Sequence, residues 1–201
     1  MFADERYQAL KQIRDEVVNL TESPLYAYRT ENNYFPVIGA GNHYADIMFI
    51  GEAPGENEAK TGMPFCGASG RVLDELLRSI ELARDDVYIT NVVKDRPPKN
   101  RDPLKGEIEL YTPFLVRQID IIQPKVFATL GRFSMDFILD LFNSDQKGVK
   151  ISQIHGQVIP IETSYGQAHV LPLFHPAVAL YQGNDTTQQR KDIKELKQFI
   201  S

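Results

Sequence analysis

Four short apolar runs, residues 47–50, 87–90, 126–130 and 169–174, alternate with segments whose apolar residues recur at helical spacing. The clearest helical stripes are Leu10, Ile13, Val17 and Leu20; Val72, Leu73, Leu76, Leu77 and Ile80; and Ile108, Tyr111, Leu115, Ile119 and Ile122. Two further helices are expected over residues 132–142 and 186–200. Strands that alternate with helices pair in parallel, because each crossover returns the chain to the same end of the sheet. The pattern therefore predicts a three-layer α/β/α sandwich around a central, mainly parallel four-stranded sheet. Residues 158–161 add a strand near one edge. No linker-like tract, repeat or low-complexity stretch divides the 201 residues, so one domain, 1–201, is expected.

The ends of parallel strands share one side of a sheet, and that is where such folds bind ligands. Three segments rich in chemistry follow predicted strands: residues 51–65, residues 91–101, and His175-Pro176-Ala177. The first opens with Gly51-Glu52-Ala53-Pro54-Gly55, whose glycines allow close backbone approach to a ligand while Pro54 stiffens the turn. Phe65 in the same segment offers a flat face. That pairing suits an aromatic heterocycle better than a bare phosphate.

Charge and cysteine content narrow the partners. Against 22 Lys and Arg stand 27 Asp and Glu, a formal net charge of -5, so any nucleic-acid contact must use a local patch. Such a patch is available in Lys94, Arg96, Lys99 and Arg101, with Asp95 among them. The single cysteine, Cys66, forms no intramolecular disulfide and cannot build a four-thiolate metal site, which fits a reducing, cytoplasmic setting. Residues 1–6 carry acids where a secretory signal would be basic, and no apolar run approaches the roughly 20 residues that span a bilayer. Asn184-Asp185-Thr186 has glycosylation spacing but reads as a polar loop.

Four motifs taken together, Gly-Glu-Ala-Pro-Gly at 51–55, Thr-Gly-Met-Pro-Phe at 61–65, Asn-Val-Val-Lys-Asp-Arg-Pro-Pro-Lys-Asn-Arg at 91–101 and Phe-His-Pro-Ala at 174–177, resemble the uracil-DNA glycosylase superfamily. The likeness runs over about residues 20–180 and is nearest to family 4, whose members ordinarily ligate an iron–sulfur cluster with four cysteines. Laid on that pattern, the ligand positions are Leu20, Ser23, Asp95 and Tyr111. All four ligands are absent, so a colourless protein without metal, cluster or other cofactor is expected.

The resemblance implies excision of uracil from DNA by hydrolysis of the N-glycosidic bond, with the base flipped into a pocket. Phe65 is the stacking candidate, unless its ring packs inward as a core plug. Asn91 matches the asparagine that reads the pyrimidine edge; its amide donates to uracil O4 and accepts from N3–H, and cytosine reverses both groups. His175 matches the histidine at uracil O2, where a neutral imidazole stabilises the charge that develops on the departing base. Backbone N–H groups around Glu52 and Ala53, next to Gly51, help at the same oxygen. Ala53 stands where the best-known branch has an aspartate, so a dissociative reaction is implied. Glu52 and Glu58 are candidates for steadying the sugar cation or positioning water, or else are solvated or capping carboxylates. Gly55 stands where that branch excludes the thymine methyl with a tyrosine.

DNA contacts fall to Lys94, Arg96, Lys99 and Arg101, and Val178 and Leu180 are candidates for the apolar wedge that fills the gap left by a flipped base. Buried or merely solvated placements compete with both assignments. The expected protein is a monofunctional, cytoplasmic, monomeric hydrolase. A non-catalytic binder of damaged DNA is the alternative, and a phosphate-ester hydrolase is a distant third because no Walker motif or metal-ligand cluster is present.

Overall fold

The computed structural model describes residues 4–181, 183 and 185–200. Met1, Phe2 and Ala3 of the acidic opening segment, and Asn184 of the glycosylation-like triplet, lie outside the described residues.

Six strands form one sheet in the order β1-β3-β2-β4-β6-β5. The four expected strands are its centre: β2 (Ile47–Gly51), β3 (Tyr88–Asn91), β4 (Val126–Leu130) and β6 (Gly166–Leu173), all parallel. The expected count of four is corrected by two antiparallel edges. β5 (Ile159–Thr163), the foreseen edge strand, pairs with β6, and the two-residue β1 (Ala40–Gly41) pairs with β3. A two-residue strand has too little sequence to show alternation, which is why periodicity missed it.

Side chains alternate across β2, and this splits the core. Met48 and Ile50 face a cluster built with α1 (Glu5–Val18), α2 (Pro24–Glu31), α5 (Lys105–Ile122) and α6 (Arg132–Leu141). Ile47 and Phe49 face the opposite cluster, closed by α4 (Ala68–Ser79) and by Ala179 and Ile193 of the C-terminal helices. The result is helix, sheet, helix. Short helices α3 (Glu56–Thr61), α7 (Ile151–Ile154) and α8 (Ala177–Tyr181) fill connections. The C-terminal helix expected over 186–200 is shorter: α9 spans Thr187–Ile193 and tightens into 3₁₀ turns over Lys194–Phe199.

Among the described residues no helix is long and apolar enough to cross a membrane.

Candidate active site

Gly51 is the hub of the site. It ends β2 directly beside Asn91 at the end of β3, the two being register partners. A Cβ on Gly51 would lie 2.3 Å from Asn91 Oδ1 and 2.8 Å from Phe65 Cζ, so the absence of a side chain lets an amide and an aromatic ring meet over the strand end. His175 comes from beyond β6, and its ring centroid is 5.9 Å from that of Phe65 at an interplanar angle of 36°. Phe65, Asn91 and His175 line one cavity of about 610 Å³ with Glu52, Ala53, Gly55 and Glu58. Three chain segments far apart in sequence thus converge as the strand-end argument requires.

Each wall has its own support. Phe65 adopts a left-handed backbone (φ 50°), a costly conformation for an aromatic residue, and its loop is gripped from below by Arg84. That guanidinium donates to Pro64 O at 3.0 Å and to Phe65 O, while its Nε pairs with Asp74 at 2.5 Å. Phe65 is only 6 % exposed, yet it lines the cavity, so it belongs both to the core and to the cavity wall. Glu58 holds the other end of the loop: Oε1 accepts the N–H groups of Cys66 and Gly67, both at 3.0 Å. Gly55 leaves room for this carboxylate, since a Cβ there would lie 2.7 Å from Glu58 Oε2. Glu58 is therefore the capping carboxylate, with one oxygen already committed.

His175 Nδ1 accepts the Ala177 N–H at 3.1 Å, and Gln189 Nε2 donates to His175 O at 3.0 Å. An Nδ1 used as acceptor assigns the ring proton to Nε2. Burial pushes the imidazole pKa down, with Glu58 opposing it weakly, so the neutral form is favoured. Glu52 has its carboxyl pKa raised by burial and by the charge of Asp102, with Arg132 pulling the other way. Asp102 lines the same cavity, yet sequence reasoning missed it; it lies in the irregular Arg101-Asp102-Pro103 segment, which carries no periodicity to flag it.

The basic segment divides sharply. Lys94 is not on the surface: it is wholly buried, and Nζ donates to Asn91 O at 2.6 Å, Thr90 Oγ1 at 2.8 Å and Gln118 Oε1 at 2.5 Å. Burial pulls its pKa well down. Arg96 is also turned inward, donating to Asn100 Oδ1 at 2.7 Å, Tyr34 OH at 2.8 Å and Glu56 Oε2 at 3.1 Å. Both are corrected from DNA contacts to internal clamps. Lys99 is exposed, and Arg101 lines the cavity while forking onto Glu107 at 2.9 and 2.6 Å. Of the wedge candidates, Val178 is partly buried and Leu180 is 38 % exposed, and neither lines this cavity. The neighbouring Tyr181, which the sequence did not single out, lines the cavity and is 89 % exposed.

Comparison with known proteins shows the family. The model of the uracil DNA glycosylase superfamily matches residues 38–197, and the chain belongs to that superfamily. Among its relatives, the type-4 uracil-DNA glycosylase of Archaeoglobus fulgidus is 42% identical over 94% of this chain and 92% of its own length. Those of Sulfurisphaera tokodaii and Thermotoga maritima are 41% and 39% identical, over 95% and 97% of this chain and 84% and 96% of their own lengths.

The iron–sulfur cluster of family 4 does not fit the residues present. At the four positions that the resemblance assigns to its ligands stand Leu20, Ser23, Asp95 and Tyr111, which supply no thiolate. Ser23 Oγ and Tyr111 OH are 2.9 Å apart and Tyr111 OH donates to Asp95 Oδ2 at 2.5 Å, so these groups are bonded to one another. Among the described residues no group of three or more His, Cys, Asp or Glu is arranged to hold a metal.

Proposed function

We propose that this chain hydrolyses the N-glycosidic bond of uracil in DNA and leaves an abasic site, the opening step of base excision repair. The observation that carries this reading is the meeting of an aromatic ring and a carboxamide over Gly51 with an imidazole in the same cavity.

Flipping a base costs a few kcal/mol of lost stacking and pairing, which contacts in the pocket must offset. Phe65 stacks on the extruded ring. Asn91 Nδ2 donates to O4 and Oδ1 accepts N3–H, a pattern that cytosine reverses, leaving a buried amide mismatched at about 1–3 kcal/mol. As the glycosidic bond lengthens, its electron pair moves into the base and negative charge gathers on O2. His175 Nε2–H is the donor there, held ready by the Nδ1 contact to Ala177, and backbone N–H groups around Glu52 and Ala53 assist. With Ala53 unable to act as a base, the sugar cation forms before water adds. Glu52, with Asp102 nearby, steadies that cation or orients the water. Among the described residues the cavity lining includes no lysine, which supports monofunctional hydrolysis over amine-nucleophile chemistry.

The chain acts as one domain and as a monomer, in the cytoplasm and without metal or cofactor. Lys99 and Arg101 meet the DNA backbone, and Leu180 with Tyr181 enters the gap left by the base.

Incubation with a uracil-containing oligonucleotide followed by alkali tests the reading: strand scission that disappears in Asn91→Ala and His175→Ala is expected. Intact strands on both single- and double-stranded substrates would remove it, and tight binding to abasic DNA without turnover would shift the chain to a damage-binding role.

A further inference from the structure

Residues 91–97 are all buried, yet beyond Asn91 they form no helix or strand until the 3₁₀ turn at Pro98–Asn100. A buried irregular segment must find distant partners for its polar groups. Asp95 finds them in a knot that joins several parts of the chain. Tyr111 of α5 donates to its Oδ2, and Arg29 of α2 donates to both carboxylate oxygens at 3.1 and 3.0 Å. The same guanidinium donates to the last carbonyls of α1, Val17 O at 3.0 Å and Val18 O at 2.5 Å. Ser23 caps α2 by accepting the Leu25 N–H at 3.2 Å and lies against the Tyr111 hydroxyl. Because Tyr111 gives its proton to Asp95, the Ser23 hydroxyl donates to Tyr111, and every member is satisfied.

A buried ion pair is weak evidence for stability, since apolar residues of similar volume often hold a core as well. What hydrogen bonds add to apolar packing is direction. Along the chain Asp95 lies between Asn91 and Pro97, Asn100, Arg101 and Asp102, all of which line the cavity. We propose that the Ser23–Tyr111–Asp95–Arg29 knot is the positioning device for this loop, three of its four members standing where the resemblance places cluster ligands. Its residues touch no substrate; they set Asn91 and the opposite cavity wall. The catalytic consequence rests on the proposed glycosylase reading, whereas the effect on the loop does not.

The test uses Asp95→Asn and Tyr111→Phe in the full chain, with amide hydrogen exchange and steady-state uracil excision as readouts. Exchange at Val92, Val93, Asn100 and Arg101 is expected to speed up about tenfold, while β4 and β6 stay within about threefold of the unaltered chain. KM for uracil-containing DNA should rise about tenfold with kcat changed by less than about threefold, because the reacting groups are retained. Should Asp95→Asn fail to fold, Tyr111→Phe, which deletes a single hydroxyl, decides. Unchanged exchange at the four amides, equal acceleration in β4 and β6, or an unmoved KM beside a loosened loop would each overturn the proposal. If the unaltered chain leaves uracil-DNA intact, the glycosylase reading falls and the exchange pattern alone judges the knot.

Discussion

His175 accepts the backbone N–H of Ala177 through Nδ1 at 3.1 Å, and this one contact decides which ring nitrogen can donate into the cavity. His175→Ala should lower kcat about 100- to 1000-fold with little change in KM, the cost of deleting one preorganised donor to a developing anion. Single-turnover rates beside KM measure this, and a loss confined to KM would contradict it.

The same histidine sets a pH dependence of defined sign. Its folded pKa lies below the ordinary value of 6.5 because burial disfavours the imidazolium. Between the folded pKa and that value the unfolded chain binds more protons, so stability from His175 is complete above about 6.5 and declines as pH falls through the window. Urea unfolding at pH 7.5 and 5.5 should show a smaller acid loss in His175→Gln than in the unaltered chain.

Gly51→Ala should be more harmful than its size suggests. The added methyl would meet Asn91 Oδ1 at 2.3 Å and the Phe65 ring at 2.8 Å, so both base-contacting groups must move. Overpacking of this kind costs about 1–3 kcal/mol of stability, and misplacement of the reading groups should reduce excision at least about tenfold. Denaturant unfolding and excision rates on one preparation separate the two losses.

Lys94 and Lys99 should behave oppositely although five residues apart. Lys94→Met strands the acceptors Asn91 O, Thr90 Oγ1 and Gln118 Oε1, and should destabilise the fold by about 2–4 kcal/mol without altering the salt dependence of DNA binding. Lys99→Ala should leave stability within about 0.5 kcal/mol and reduce the slope of log K against log salt by about 0.9. Titrations at several salt concentrations provide the check.

Tyr181 lines the cavity and is 89 % exposed, and its chain neighbour Leu180 is 38 % exposed. Tyr181→Ala should weaken the complex with uracil-containing duplex by about 1–3 kcal/mol, the range for loss of one stacking aromatic. Leu180→Ala should cost less. Equal affinity of Tyr181→Ala and the unaltered chain, measured by anisotropy, would place the wedge elsewhere.

By itself the sequence determined the layer order, the parallel strands at the centre of the sheet, and the convergence of residues 51–65, Asn91 and His175, because helical and strand periodicities report burial locally and strand ends share a side. It also determined that the cluster thiolates are missing. Tertiary structure alone decided which charged side chains face inward. Lys94 and Arg96 look like surface cations in a basic loop, but their acceptors come from Gln118, Tyr34 and Glu56, which no local pattern connects to them. The same holds for Glu58 as a loop cap, for Arg84 beneath Phe65, and for the Asp95 knot. A charge in an irregular segment goes wherever distant partners can satisfy it, and only the folded chain brings those partners together.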